Sequence, residues 1–270
     1  MYESYWQLDR SPFDSDSAPA FFFCSETHQA SLLKLRYLIE NRKGAGVLVG
    51  GTGIGKTFLA NVLAQQLGET HGPFVHLVFP QMSPPELLAY LAVELGADPA
   101  NLGSIDRTVR EIERLLVEFG EHGRHPVIVI DEAHLIDDSI VFQTLRLLLN
   151  FRNQQSNFTL IFAGQGDLLC EIRRNAQLEE RLAVKCLLQP LSDEETVSYV
   201  SWRLQTAGAS KPIFEPEAMF ALFELSGGVP RRINRICDLA LLVGYADETA
   251  TISATQVEAV AEELTAVVVD

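Results

Sequence analysis

The sequence predicts an α/β fold: a five-stranded parallel sheet flanked by helices, followed by a small all-helical lid domain. Three observations carry this prediction. Short apolar runs alternate with helical periodicity from Ala45 to Leu188, the pattern of a parallel sheet covered on both faces. A glycine-rich turn, Gly50-Gly51-Thr52-Gly53-Ile54-Gly55-Lys56-Thr57, joins the first apolar run to a helix pattern. After Pro190 no strand pattern remains, and capped helical segments follow one another.

In chain order, residues 1–24 hold Tyr5, Trp6, Phe13 and Phe21 to Phe23 among turn formers such as Ser11-Pro12 and Ala18-Pro19. Solvated tails rarely carry so many rings, so this segment is expected to pack on the body. Residues 25–190 form the expected sheet domain. Leu32, Leu35, Leu38 and Ile39 mark one helix face, Ala45 to Val49 is a strand, and Phe58 to Leu67 is a helix stopped by Gly68. Phe74 to Phe79 reads as the second strand. Ser83-Pro84-Pro85-Glu86 is a capping box with proline at the first helical position, opening a helix to about Leu95. Ile105, Val109, Ile112, Leu116 and Phe119 define an amphipathic helix closed by Gly120 and Gly123. Val127 to Ile130, β-branched throughout, is expected to be a central strand buried on both faces. A helix from Ser139 to Asn153, a strand from Phe158 to Ala163, a short helical stretch through Arg181 and a fifth strand from Val184 to Leu188 complete the sheet. Residues 191–270 are expected to be the helical lid, with helices opened by Ser192-x-x-Glu195, running over Glu215 to Leu225 and Arg231 to Tyr245, and opened by Ser253-x-x-Gln256.

The turn at Gly50 to Thr57 spells G-x-x-x-x-G-K-[ST] between a strand and a helix, the context in which this string binds phosphate. Its glycines let several backbone N–H groups face one hollow, and the helix amino end adds partial positive charge. The fold is thus expected to be that of a P-loop NTPase, with Gly50, Gly51, Thr52, Gly53, Ile54, Gly55, Lys56, Thr57 and Phe58 as the nucleotide-binding stretch. Lys56 would reach the β- and γ-phosphates, and Thr57 would hold Mg²⁺. Ligands of open parallel sheets sit at the carboxyl ends of the strands, where Asp131, Glu132 and Gln165 also fall. Asp131 is the expected second magnesium site, through water, and Glu132 the group that polarises the attacking water. Gln165 can donate to a phosphate oxygen and accept from water. Arg181, with Arg173 and Arg174 as competitors, can reach a neighbour's γ-phosphate as an arginine finger, and Arg231 can contact the phosphates from the lid. Asp131-Glu132-Ala133-His134 also spells the string of nucleic-acid helicases. Those need two sheet domains, so the match is taken as accidental, and His134 is either a loop side chain or a contact behind the site.

The totals narrow the function further. Of the 270 residues 47 % are apolar, and no stretch approaches the ~18 consecutive apolar residues a membrane span needs. The amino terminus has no basic stretch ahead of an apolar core, so a secretory signal is not expected. Cys24, Cys170, Cys186 and Cys237 lie far apart without metal-ligand spacing and are expected to be reduced thiols of a cytoplasmic protein. The net charge is −15, and residues 191–270 alone carry 13 acidic against 5 basic residues. Such a field disfavours broad nucleic-acid affinity while leaving a narrow basic rim inside a ring open.

The chain resembles the AAA+ ATPases of the secretion-pathway ExeA/GspA type, a group similar to the transposition regulators of the TnsC and TniB kind. The resemblance rests on Tyr5, Pro12 and Phe13 in the opening segment, Ser25 to Lys43, the phosphate loop, Ile130-Asp131-Glu132-Ala133-His134 and Ala163-Gly164-Gln165. It continues through Glu180-Arg181-Leu182, Pro190-Leu191-Ser192 and Ser226-Gly227-Gly228-Val229-Pro230-Arg231-Arg232-Ile233-Asn234. It implies Walker A at Lys56 and Thr57, Walker B at Asp131 and Glu132, sensor 1 at Gln165, the finger at Arg181 and sensor 2 at Arg231. It further implies ATP and Mg²⁺ at the interfaces of a homo-oligomeric ring or partial ring, with Phe13 and Phe23 near adenine. Relatives of this type carry a membrane span and a peptidoglycan-binding region after the ATPase module. The chain is accordingly expected to be either a shorter member or the motor portion of a longer one, cytoplasmic, at the inner face of the membrane through partners or such an extension. The function expected is ATP hydrolysis driving assembly or remodelling of a cell-envelope secretion or pilus machine. The alternative is a regulator that polymerises on DNA in ATP and recruits a transposase.

Overall fold

Apolar runs that stop at a glycine or an acid become the strands of this molecule, and the periodic segments between them become its helices. The computed structural model describes residues 1–14, 21–151 and 157–266. In chain order these form α1 (Glu3–Trp6), α2 (Glu26–Glu40), β1 (Ala45–Val49), α3 (Lys56–Gln66), β2 (Phe74–Leu77), α4 (Pro84–Glu94), α5 (Ile105–Glu121), β3 (Val127–Ile130), α6 (Ser139–Leu148), β4 (Thr159–Gly164), α7 (Asp167–Arg174), α8 (Ala176–Glu179), β5 (Leu182–Leu187), α9 (Asp193–Thr206), α10 (Pro216–Ser226), α11 (Pro230–Ala246) and α12 (Ala254–Ala266).

The sheet is parallel throughout, in the order β2-β3-β4-β1-β5. Its register sets Val49 beside Gly164 and Leu187, and Leu77 beside Ile130, so the carboxyl ends of the strands form one edge. The central strands are buried on both faces, which is why β3 reads as an unbroken β-branched run. On one face Leu87 and Leu91 of α4 and Ile112 and Leu116 of α5 complete the core. β5 is an edge strand, and it alternates: Cys186 is buried while Ala183, Lys185 and Leu187 are exposed.

Several boundaries differ from the sequence expectation for local reasons. β2 stops at Leu77 because its partner β3 stops at Ile130, leaving Val78 and Phe79 exposed. β5 starts two residues earlier than expected, because a register irregularity between Ala45 and Gly46 lets Leu182 pair with Ala45. β4 is shifted by one residue, with Thr159 rather than Phe158 as its first member. α6 ends at Leu148, and residues 152 and 153 of the expected longer helix lie outside the described residues.

The chain divides into two compact units: Thr27–Thr52 with Lys56–Leu188, and Met1–Glu26 with Gly53–Gly55 and Gln189–Asp270. We call them the sheet unit and the helical unit. The aromatic amino-terminal segment belongs to the helical unit, whose core gathers Tyr2, Trp6, Leu8, Phe13 and Phe21 with residues of α9 to α12. Trp6 donates its indole N–H to the Leu241 carbonyl at 2.9 Å. Arg203 is 2 % exposed, and its guanidinium donates to the Pro12 carbonyl at 2.6 Å, the Asp14 carbonyl at 3.2 Å and the Tyr199 hydroxyl at 2.9 Å. The expected capping box opens α9: Ser192 Oγ accepts from Glu195 N–H at 3.1 Å and Glu195 accepts from Ser192 N–H at 3.2 Å. Gly228 explains the glycine pair before α11. Its φ is 69° and it accepts from Leu191 N–H at 2.8 Å, while a Cβ there would stand 2.0 Å from the Leu191 carbonyl oxygen.

Candidate functional site

Where β1 ends, Gly50 continues the ladder for one more bond, donating its N–H to the Gly164 carbonyl at 3.2 Å. The chain then turns through Gly53 and Gly55, whose φ angles of 78° and 109° lie in the left-handed region that side chains rarely adopt. α3 begins at Lys56. Lys56 is 6 % exposed, and its ammonium donates at 3.0 Å to both the Gly50 and the Gly51 carbonyls. A buried cation needs such acceptors. Here the loop itself supplies them.

One residue on, Thr57 Oγ1 donates to Asp131 Oδ2 at 2.7 Å. Asp131 follows β3 immediately and is fully buried. His76 Nε2, from β2, lies 3.2 Å from the same oxygen, and Asp131 Oδ1 accepts from Glu132 N–H at 2.8 Å. Burial pushes this carboxyl up, but the hydrogen bonds from His76, Thr57 and the Glu132 N–H outweigh it and hold the acid below its ordinary value. An ionised carboxylate against a threonine hydroxyl is an all-oxygen donor set of the kind Mg²⁺ takes. With only two protein groups, it suits a metal that keeps water and phosphate in its shell.

Glu132 has φ 48° and ψ 34°, a left-handed conformation that is uncommon outside glycine. A turn of 3₁₀ helix, Ala133–Leu135, follows. Glu132 Oε2 lies 3.3 Å from His134 Nδ1, and the Gln165 amide nitrogen lies 2.8 Å from His134 Nε2. Three side chains at the ends of neighbouring strands β3 and β4 thus line up as Glu132, His134, Gln165.

The remaining expected residues fall elsewhere. Arg181 precedes β5 directly, at the amino end of the sheet, and donates to Asn150 Oδ1 at 2.8 Å. β5 is 6 residues long, so at ~3.3 Å per residue its two ends are about 20 Å apart. Arg173 and Arg174 are exposed on α7, and Arg174 pairs with Glu171 at 2.5 Å. Within the helical unit the Arg231 N–H donates to the Gly53 carbonyl at 3.2 Å, and a Cβ on Gly53 would stand 2.8 Å from Arg231 Cβ. Phe58 is half-buried in the first turns of α3. Phe13, expected near adenine, is 3 % exposed in the core of the helical unit with the Arg203 guanidinium 5.9 Å from its ring centre, so no ring face is open to a base. Phe23 packs edge-on against Tyr199 at 5.5 Å.

Sequence reasoning missed His76 and Asn150 altogether, and left His134 undecided. His76 had a weak signal: it is the polar residue in an otherwise apolar strand, one position from that strand's carboxyl end.

Comparison with known proteins agrees with this architecture. A protein family described as AAA domain matches residues 39–169. General secretion pathway protein A of Aeromonas hydrophila is 34 % identical over 253 residues, 91 % of this chain and 45 % of that protein. The chain therefore spans a little under half the length of this curated relative. Among solved structures, the Aeropyrum pernix ORC2 protein in ADPNP–ADP complexes superposes with TM-score 0.73 at 16 % identity, over 94 % of this chain and 71 % of that one. Cdc6p of Pyrobaculum aerophilum gives 0.72 at 17 %, over 91 % and 68 %. The RuvB Holliday junction branch migration motor of Thermotoga maritima gives 0.59 at 20 %, over 87 % and 69 %. These last three likenesses establish the fold, and with the AAA domain match over residues 39–169 it is a P-loop NTPase fold of AAA type. Among the described residues no helix is long and apolar enough to cross a membrane.

Proposed function

We propose that this chain, which belongs with the AAA ATPases of the ExeA/GspA type, binds ATP with Mg²⁺, hydrolyses it between subunits of a homo-oligomer, and uses the cycle to assemble or remodel a cell-envelope secretion machine. The observation that carries the nucleotide reading is the meeting of Thr57 and Asp131 at 2.7 Å beside a glycine loop that holds Lys56. The partner side of the reading leans on the relative's name, General secretion pathway protein A, and on nothing finer.

In this reading Lys56 leaves the carbonyls of Gly50 and Gly51 for the β- and γ-phosphates, exchanging two neutral acceptors for anionic ones. Thr57 and Asp131 would hold Mg²⁺, which when bound offsets negative charge on the phosphate oxygens. Glu132 accepts a proton from the attacking water, and Gln165 orients that water or a γ-phosphate oxygen through its amide. Arg181 belongs to the opposite end of its own sheet, about 20 Å away by strand length, so its γ-phosphate is a neighbour's. Arg231, whose backbone meets Gly53, lets the helical unit sense what the loop holds.

The test is titration calorimetry with Mg²⁺–ATP, followed by steady-state hydrolysis. The parent chain should take up nucleotide below millimolar concentration. Glu132→Gln should bind equally well, lose about 10²–10⁴ in turnover, and elute as a larger species in ATP than without it. No uptake by the folded parent at millimolar ATP would overturn the reading.

A further inference from the structure

Glu132 and Gln165 lie on separate strands, and one side chain stands between them. We propose that His134 is a positioning residue that couples Gln165 to Glu132, so that the two groups change pose together. This rests on the ATPase reading above and deepens it.

The argument starts from donors and acceptors. The Gln165 amide nitrogen lies 2.8 Å from His134 Nε2. An amide nitrogen only donates, so Nε2 is the acceptor and the ring proton sits on Nδ1. Nδ1 is buried without a hydrogen-bond partner in good geometry, yet it stands 3.3 Å from Glu132 Oε2. The proton-bearing nitrogen therefore faces the carboxylate. The tautomer at one end of the ring is set by the partner at the other end, which is how an imidazole transmits the state of one neighbour to a second.

Packing fixes the ring in that place. His134 lies in the 3₁₀ turn directly after Glu132, and its side chain is 11 % exposed. It rests on Gly164, where a Cβ would come within 3.3 Å of Nδ1 and 3.2 Å of the His134 backbone nitrogen. Glu132 pays for its place in the row with a left-handed backbone, and such strain is retained where surrounding contacts hold it. When Gln165 turns its amide toward a phosphate oxygen, Nε2 loses its donor. The ring can then turn with it, and the Glu132 carboxylate beside Nδ1 moves to a new pose in the same step, so that both groups reach the nucleotide together.

Two readouts test this. The first needs no nucleotide: long-range ¹H–¹⁵N spectra of the parent chain, with the His134 signal assigned by its loss in His134→Gln. The Nδ1–H tautomer is expected, and Gln165→Ala should weaken the preference for it, the Glu132 carboxylate being left as its remaining support. An Nε2–H tautomer in the parent, or a spectrum unmoved by Gln165→Ala, overturns the coupling. The second is kinetic. His134→Ala should lower kcat about 10-fold with KM for ATP within about twofold. His134→Asn, which restores an N–H near the Nδ1 position, should recover part of the rate. Combined with Gln165→Ala, the His134→Ala loss should be about threefold to tenfold smaller than in the parent background. Additive losses, or a KM that moves as far as kcat, overturn it. If Lys56→Ala and Glu132→Gln turn over like the parent, the ATPase reading itself fails, and the tautomer result still stands or falls separately.

Discussion

Lys56 in the sheet unit and Arg203 in the helical unit are both buried cations, and they are held in different ways. Lys56 donates to Gly50 and Gly51, carbonyls of its own flexible-glycine loop, at 3.0 Å each. Arg203 donates to Pro12 and Asp14 carbonyls far away in sequence and to Tyr199, with its guanidinium 4.8 Å from the Phe21 ring centre. The lysine is a compact point charge on a long stem and can trade acceptors within one loop. The guanidinium is a planar fork, and each of its three nitrogens donates to a different residue of the fold. One charge is held within a single loop, and the other fastens the amino-terminal segment to α9.

The largest expected effect separates these two roles. Lys56→Ala should cut nucleotide affinity and turnover by about 10³ or more, while the melting temperature without nucleotide stays near that of the parent. A collapsed melting temperature would make Lys56 structural and erase the distinction. Arg203→Ala should do the reverse, costing about 2–3 kcal/mol because it strips donors from the buried Pro12 carbonyl, the Asp14 carbonyl and the Tyr199 hydroxyl. Urea denaturation reads that loss. If the stability were unchanged, the amino-terminal segment would not depend on this residue.

Acidity gives a third, smaller contrast within the sheet unit. Burial, with the nearby charges of Arg42 and His71, lowers the His125 pKa from 6.5 to about 4. Its Nε2 lies 2.9 Å from Thr159 Oγ1. The unfolded chain therefore binds a proton that the native chain refuses. His125's contribution is fully present above pH ~6.5, declines as pH falls, and is exhausted near pH 4, a loss of up to about 3 kcal/mol. Asp131, held low, changes stability in the same direction, since protonating it weakens its bonds to Thr57 and His76. His125→Asn should flatten the stability profile between pH 7 and pH 4.5, and a profile as steep as the parent's would locate the acid sensitivity elsewhere. The smallest effect is at the helical unit's entry: Ser192→Ala removes one side of a capping box and should lower the urea midpoint by about 1 kcal/mol equivalent.

Much of the site was legible because its chemistry is local in sequence. Gly50 to Thr57 and Ile130-Asp131-Glu132 each report a strand and the turn that ends it, and parallel strands put their carboxyl ends on one edge, where Thr57 meets Asp131. What the string could not convey was lateral order. Nothing in Ala45 to Val49 says that β4 and β5, rather than β2, lie on either side of it, so neither the partnership of His76 with Asp131 nor the row through His134 could be read in advance. Arg203 escaped notice for a related reason. Its partners Pro12 and Asp14 are distant in sequence, and a single arginine in an amphipathic helix looks solvated until the opposite segment arrives. Phe13 and Phe23 pack against the rings and guanidinium of α9, contacts that their own stretch of sequence does not announce.

The division of the chain has a bearing on its synthesis. The helical unit is written in two parts, Met1–Glu26 at one end and Gln189 onward at the other, with the sheet unit's residues between them. Trp6 and Phe21 leave the ribosome roughly 170–190 residues before α9, the first of the helices that shelter them, a wait of roughly 10–40 s at ordinary elongation rates. During that interval the sheet can close, while a greasy leader hangs unsheltered and suited to capture by a chaperone. A segment made before the whole sheet unit is among the last to find its seat.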